Sequence, residues 1–214
     1  MTEGEVYEAL HHAIVASELS PGERLVEEEI AVRLGASRGA VRAALVRLSH
    51  DGLVARERHR GAQVRRITID EAVEIVEARC ALESLAAGYA ALRRTDAEGA
   101  ELSELVGEMQ RLQASGELLT ASTRNGELHR RILEVSRHQV AIEICGRLRS
   151  QVVRFQFRTV LAPGRAASST AEHRAIVQAI VDRDRDGAEE AMRVHLTHVV
   201  AVLTDIANQE RRAS

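Results

Sequence analysis

The stretch LSPGERLVEEEIAVRLGASRGAVRAALVRLSHDGLVARERHRGAQV, residues 19–64, decides how the chain folds. Ser20-Pro21-Gly22 interrupts whatever precedes it. Proline presets φ at the second position of a turn, and glycine accepts the positive φ of the third, as in a type II turn. Residues 26–34 then read as a short helix ending at Gly35, which is free to take the left-handed conformation favoured at helix C-termini. Ser37 is a good N-cap for a third helix over 38–50. On that helix Val41, Ala44, Leu45 and Leu48 share one face, while Arg38 and Arg42, four residues apart, share the other. Asp51-Gly52 stops it. Residues 53–56 and 62–66 read as two short strands around a basic turn at 57–61. A first helix is predicted over 5–17 from the spacing of Val6, Leu10, Ile14 and Val15. Three short helices followed by a β-hairpin is the order of a winged helix-turn-helix.

Charge follows the same segment. Residues 37–66 hold eight arginines against Asp51 and Glu57, a balance of +6 inside a chain whose formal net charge is -3. Such a stretch points at an anionic partner. Arg38 and Arg42 can present guanidinium groups to guanine O6 and N7 in a DNA major groove. Gly39, Ala40 and Ala43 around them are small enough for close approach. Ser37 at the helix N-terminus suits a phosphate. Arg58, His59 and Arg60 at the hairpin tip suit phosphates or the minor groove. Two arginines on any one helix more often just solvate its surface. The complete order of turn, capped basic helix and basic hairpin is what points to DNA.

The rest of the chain is plainer. Of 214 residues, 45% are apolar, 2% aromatic and only two are proline. The core must therefore be Leu, Val, Ile and Ala, and the chain mainly α. No apolar run approaches the roughly 20 residues that span a bilayer. The start MTEGEVYEAL lacks the basic, then apolar, pattern of a secretion signal. Cys80 and Cys145 lack metal-ligand spacing. These features lead us to expect a cytoplasmic protein with reduced thiols and no membrane partner. Thr68-Ile69-Asp70-Glu71 has capping-box spacing and opens a long helix. We therefore place a domain boundary at 66/67, with a winged helix over 1–66 and an all-helical bundle over 67–214. Helices are predicted over 69–93, 96–114, 117–136, 139–161, 170–183 and 185–211. Residues 164–170 read as a loop, with Ser169-Thr170-Ala171-Glu172 as a second capping box.

The bundle carries one oddity. Asn125 and His129 lie four apart on a face that continues into Ile132. His173 leads the stripe of Ile176, Val177 and Ile180. His195 lies on the stripe of Ala188, Met192, Val199, Val202 and Ile206. Burying three unpaired imidazoles costs about 1–3 kcal/mol each. A transition metal would supply the partner, since neutral imidazole is its commonest ligand. A single histidine on an apolar face is more often a satisfied core residue, so the weight falls on the recurrence over three helices. His198, one turn beyond His195, is the residue most easily mistaken for a ligand. His11, His12, His50 and His138 read as surface or linker positions. No general-base pattern such as HExxH accompanies the cluster, which argues against a metal-dependent enzyme.

Residues 19–64 resemble the winged helix of the GntR transcription regulators. The resemblance rests on Pro21-Gly22, Ser37-Arg38-x-x-Val41-Arg42-x-Ala44-Leu45, Leu48, Asp51-Gly52-Leu53 and Gly61. It implies base or phosphate contacts for Ser37, Arg38 and Arg42, and wing contacts around Gly61, where Arg58 and Arg60 lie. Gly39-Ala40 departs from the family, which often has a proline at position 40. Residues from about 68 to 208 resemble the FCD ligand-binding domain of the FadR-type subgroup. The carrying motifs are Arg79-x-x-Leu82-Glu83, Glu172-His173-x-x-Ile176-x-x-Ala179-Ile180 and Ala188-x-x-x-Met192-x-x-His195. This resemblance implies a divalent transition metal, zinc or nickel, on Asn125, His129, His173 and His195, with Asn125 standing where aspartate is usual. A ligand set without negative charge leaves the ion its full 2+ and favours a small carboxylate effector. Arg79, Arg154 or Arg158 could grip that carboxylate, although Arg79 could instead pair with Glu83 one turn on. The expected protein is a homodimeric bacterial regulator of a palindromic double-stranded DNA operator, tuned by a small organic acid. The alternatives are a metal-responsive or an effector-independent regulator.

Overall fold

A computed structural model describes residues 1–57 and 61–213. The wing tip, with Arg58 and Arg60, lies outside the described residues. The chain divides into two compact units, residues 1–68 with 149–154, and residues 69–148 with 155–214.

The first unit opens with α1 (Glu3–Val15), where Thr2 and Glu5 form a reciprocal capping box. At the turn, the Ser20 carbonyl accepts from the Glu23 N–H at 2.9 Å and Gly22 stands at φ +82. α2 (Glu27–Leu34) ends on Gly35 at φ +61. α3 (Arg38–His50) starts from Ser37, whose hydroxyl accepts from the Ala40 N–H at 3.2 Å. The wing strands are β2 (Val54–Glu57) and β3 (Gly61–Val64), paired antiparallel. A two-residue strand, absent from the sequence reading, lies before α2. It is β1 (Arg24–Leu25), which pairs with Gln63 and Ala62 of β3 to make a sheet of order β1-β3-β2. Two residues cannot show alternation, so its strand character comes from the partner. Val6, Leu10 and Ile14 of α1 meet Val41, Leu45 and Leu48 of α3 in one core with Leu25, Val54 and Val64 of the sheet. Packing of this kind fixes α3 and leaves its arginine face outward.

The second unit is all helical. Its centre is α4 (Ile69–Arg93), which packs on α6 (Leu118–Ser136), α8 (Arg165–Val181) and α9 (Arg185–Ala213). α5 (Asp96–Ala114) lies against α6 and α8, and α7 (Gln139–Val160) completes the order. Ala86, Ala87, Ala90 and Ala91 of α4 are fully buried, and small side chains let the helix backbones approach closely. A Cβ on Gly88 would collide with the Glu189 side chain of α9. Arg94, just past α4, donates to the carbonyls of Ile180 and Val181 at the end of α8, where backbone acceptors have no partner within their own helix. Both cysteines are free thiols. Among the described residues, no helix is long and apolar enough to cross a membrane.

The sequence reading is corrected at α8. Residues 165–169 are helix, not loop, and the N-cap is Gly164 at φ +74 rather than Ser169. Two hydroxyls expected to break the helix bond back to its own carbonyls instead: Ser168 to Arg165 at 3.0 Å and Thr170 to Ala166 at 3.2 Å. Glu172 is therefore well inside α8, seven residues from Arg165 and on the same face.

Leu48 of α3 is fully buried, whereas Val32 of α2 is 80% exposed. Leu48→Ala should cost about 2–5 kcal/mol in chemical denaturation, and Val32→Ala no more than about 0.5 kcal/mol. Equal effects would mean that α3 is not anchored by this face.

Candidate metal centre and nucleic-acid interface

His129 of α6, His173 of α8 and His195 of α9 meet in the second unit, and all three are buried. One nitrogen from each lies within 4.8 Å of the other two. Ligand atoms around one tetrahedral ion at about 2.1 Å lie about 3.4 Å apart, so an inward movement of the order of an ångström would close the set. The Nε2 atoms of His129 and His173 already approach to 3.3 Å.

Carboxylates hold two of these rings from behind. His129 Nδ1 donates to Glu83 Oε2 at 2.6 Å, and Arg79 Nε donates to Glu83 Oε1 at 2.8 Å. His195 Nδ1 donates to Glu172 Oε2 at 2.7 Å, and Arg165 Nη2 donates to the same oxygen at 2.8 Å. His195 Nδ1 and Arg165 Nη2 lie 3.5 Å apart, and both donate to the carboxylate rather than to each other. His198 reaches the other Glu172 oxygen at 2.8 Å, as an exposed outer partner. With Nδ1 engaged, the lone pair of His129 and of His195 is on Nε2. This is the usual arrangement behind a metal-bound imidazole, in which an outer carboxylate fixes tautomer and ring orientation. His173 Nδ1 faces the Ser169 hydroxyl at 3.4 Å.

Burial, reinforced by its imidazole neighbours and Arg165, pushes His173 well below the usual imidazole range. Burial also lowers His195, against the opposing pull of Glu172. Burial would raise Glu172, but hydrogen bonds from His195 and His198 and the charge of Arg165 outweigh it and hold the carboxyl at about 2. His173 and His195 are therefore neutral imidazoles, and the carboxylate behind His195 is ionised.

Asn125, one turn before His129 on α6, lines a cavity with His195. Its Oδ1 is buried without a hydrogen-bond partner, as are few other side-chain atoms among the described residues. A buried amide oxygen rarely lacks a partner. A partnerless acceptor on the cavity that His195 also lines fits a cation. Arg165, Thr159 and Ser169 also line the cavity.

The three arginines predicted to hold an effector are placed elsewhere. Arg79 pairs with Glu83 behind His129. Arg154 belongs to the first unit, donating to Ser17 Oγ at 3.2 Å and to the carbonyls of Ile14 and Leu19. Arg158 is exposed and pairs with Glu210 of α9 at 2.5 Å. The cation at the cavity is Arg165, which sequence reasoning assigned to a loop. The sequence places Glu172 in a capping box and Glu83 one turn from Arg79, both within the FCD-like motifs, but assigns neither of them to hold an imidazole. The available signal was a carboxylate among alanines on the buried stripe of α4.

In the first unit, Arg38 and Arg42 share an exposed face of α3. Arg42 makes a bidentate pair with Glu27 at 2.9–3.2 Å, and Arg38 pairs with Glu28. Hydrogen bonds from Arg42 hold Glu27 below the usual carboxylate range. Exposed pairs of this kind contribute little net stability, so both guanidinium groups can exchange a carboxylate for another anion cheaply. Ser37 caps the same end of α3, and Gly61 begins β3 at φ +87.

Glu83→Ala would leave Arg79 and His129 buried without their shared anion. A loss of about 3–5 kcal/mol is expected on denaturation, whereas Arg158→Ala should leave the melting temperature nearly unchanged. A mild Glu83→Ala would mean that the cluster does not depend on its carboxylate backing.

Comparison with known proteins agrees with both units. Residues 2–64 match the family model "Bacterial regulatory proteins, gntR family", and residues 74–198 match the FCD domain. The HTH-type transcriptional repressor RspR of Escherichia coli is 25% identical over 91% of this chain and 86% of its own length. A putative L-lactate dehydrogenase operon regulatory protein from the same organism is 28% identical over 91% of this chain and 83% of its own. The solved structure of E. coli McbR/YncC superposes with a TM-score of 0.79 at 23% identity, covering 96% of this chain and 98% of that one, and so shares the fold. The chain belongs to the GntR family of bacterial regulatory proteins, with an FCD domain after its winged helix, and is a transcription regulator rather than an enzyme.

Proposed function

We propose that this regulator binds its operator as a homodimer and that a small carboxylate, held beside a divalent transition metal in the FCD domain, sets its affinity. The observation that carries the metal half is the convergence of His129, His173 and His195 next to the partnerless Oδ1 of Asn125. Zinc or nickel suits such nitrogen-rich ligands. Bound there, a divalent ion would supply positive charge and an open coordination position. The surrounding protein leaves that charge uncancelled. Asn125 and the imidazoles are neutral, and Glu83 and Glu172 are each matched by an arginine, Arg79 and Arg165. The excess 2+ favours an anionic effector. One relative is named a putative L-lactate dehydrogenase operon regulatory protein, and lactate is a small carboxylate.

On the DNA side, Ser37, Arg38 and Arg42 are the contacts we assign to α3, with Gly61 and the basic tip residues Arg58 and Arg60 on the wing. A single winged helix makes few base contacts, and a two-fold dimer on a palindrome doubles them. Action on the chromosome places the protein in the cytoplasm.

Arg42→Ala should weaken operator binding about tenfold to a hundredfold and relax discrimination at one position in each half-site, measured by mobility shift. Unchanged affinity would remove Arg42 from the interface. Asn125→Asp adds an anionic ligand. It should tighten zinc roughly tenfold or more in calorimetry and weaken carboxylate binding to the zinc-loaded protein. Operator affinity without effector should stay the same. If the wild type takes up no zinc or nickel, the metal half is lost. If chelation abolishes regulation and added acids have no effect, the metal itself is the signal.

A further inference from the structure

The cavity beside His195 is asymmetric in a way that restricts what it can hold. His195, Arg165 and Asn125 line it together with Ser122 and Thr159, and Met109, Leu118 and Val199 supply much of its apolar wall. Among the described residues lining it, Arg165 is the only cation. Arg165 is itself buried and matched by Glu172, and its Nη1 donates to Ser168 at 3.2 Å. Further along the wall, Thr170 donates to Gln113 at 2.6 Å and to the Ala166 carbonyl. Ser169 faces His173. The cavity thus offers one cation and a largely apolar wall, and the hydroxyls that also line it are engaged within the protein.

We infer that the effector is a monocarboxylate with an apolar body, a short aliphatic acid, rather than a di- or tricarboxylate or a polyhydroxylated sugar acid. The inference rests on the carboxylate reading proposed above and narrows it to a class. A first carboxylate meets the imidazole cluster and Arg165. A second would be buried against Met109, Leu118 or Val199 with no cation to pair with, a strongly unfavourable transfer. One hydroxyl could donate to Asn125 Oδ1, but the further hydroxyls of a sugar acid would lose water without gaining partners. Methylenes gain from the same walls, by about fourfold in affinity for each one buried.

The test is calorimetry on the full-length protein, both zinc-loaded and zinc-free, with propionate, butyrate, valerate, malate and gluconate as probes. Affinity should rise about fourfold per methylene from propionate to valerate, with malate and gluconate weaker than valerate. Ala121→Phe, which fills the cavity from its α6 wall, should weaken valerate at least tenfold while zinc uptake stays at the wild-type stoichiometry. Zinc uptake with malate or gluconate binding more tightly than valerate overturns the inference and leaves the metal reading intact. No zinc uptake with the chain-length order preserved overturns the metal reading and leaves the inference intact, Arg165 and His195 then holding the acid directly. Unchanged valerate affinity in Ala121→Phe, or no binding of any of the acids to either form, overturns the inference.

Discussion

Two buried chains of charge organise the FCD domain: Arg79 to Glu83 to His129, and Arg165 to Glu172 to His195. A carboxylate as enclosed as Glu83 could not stay ionised in a core of alanine and leucine without a cation beside it. Each arginine makes its carboxylate tolerable, and each carboxylate then orients an imidazole. The two chains add no net charge. What they create is a set of imidazole nitrogens fixed in direction, and one of the rings, His195, lines the same cavity as Asn125, whose amide oxygen nothing in the protein satisfies. The helices that carry the chains, α4, α6, α8 and α9, are those that pack on one another, so the polar centre and the hydrophobic core share a scaffold.

The winged helix uses charge oppositely. Arg38 and Arg42 pair with Glu28 and Glu27 at the surface, where water screens the interaction and little is lost when it breaks. Buried pairs in the bundle give a fixed geometry, whereas the exposed pairs on α3 keep two long side chains extended yet available. The capping hydroxyl of Ser37 and the apolar face of Val41, Leu45 and Leu48 supply the rigidity that these arginines lack.

Much of this was legible in the sequence. The winged helix could be read because each of its elements has a local signature: Pro21-Gly22 for the turn, Gly35 for a helix end, Ser37 for a start. β1 could not, because Leu25 becomes strand only through its pairing with Ala62. The three histidines stood out as imidazoles on apolar stripes. The carboxylates behind them did not, because charge pairs such as Glu172 with Arg165 become visible only once α8 is known to begin at Arg165. Reading Ser168 to Thr170 as a loop hid that spacing, since hydroxyl residues favour caps and turns unless they bond back to their own helix, as two of them do here. Arg154 was read from its position on a helix, but its guanidinium is taken up by the backbone around Ser17 and Leu19.

The central claim is that the imidazole cluster is a metal site whose rings are held by Glu83 and Glu172. Its most direct test is anomalous scattering from crystals of the full chain grown with zinc, recorded on both sides of the zinc absorption edge. The account predicts one peak per chain in the FCD domain, within about 2.0–2.2 Å of Nε2 of His129, His173 and His195, with Asn125 Oδ1 turned toward it. A cluster free of anomalous density, or an ion bound through Nδ1 with the carboxylates displaced, would contradict it.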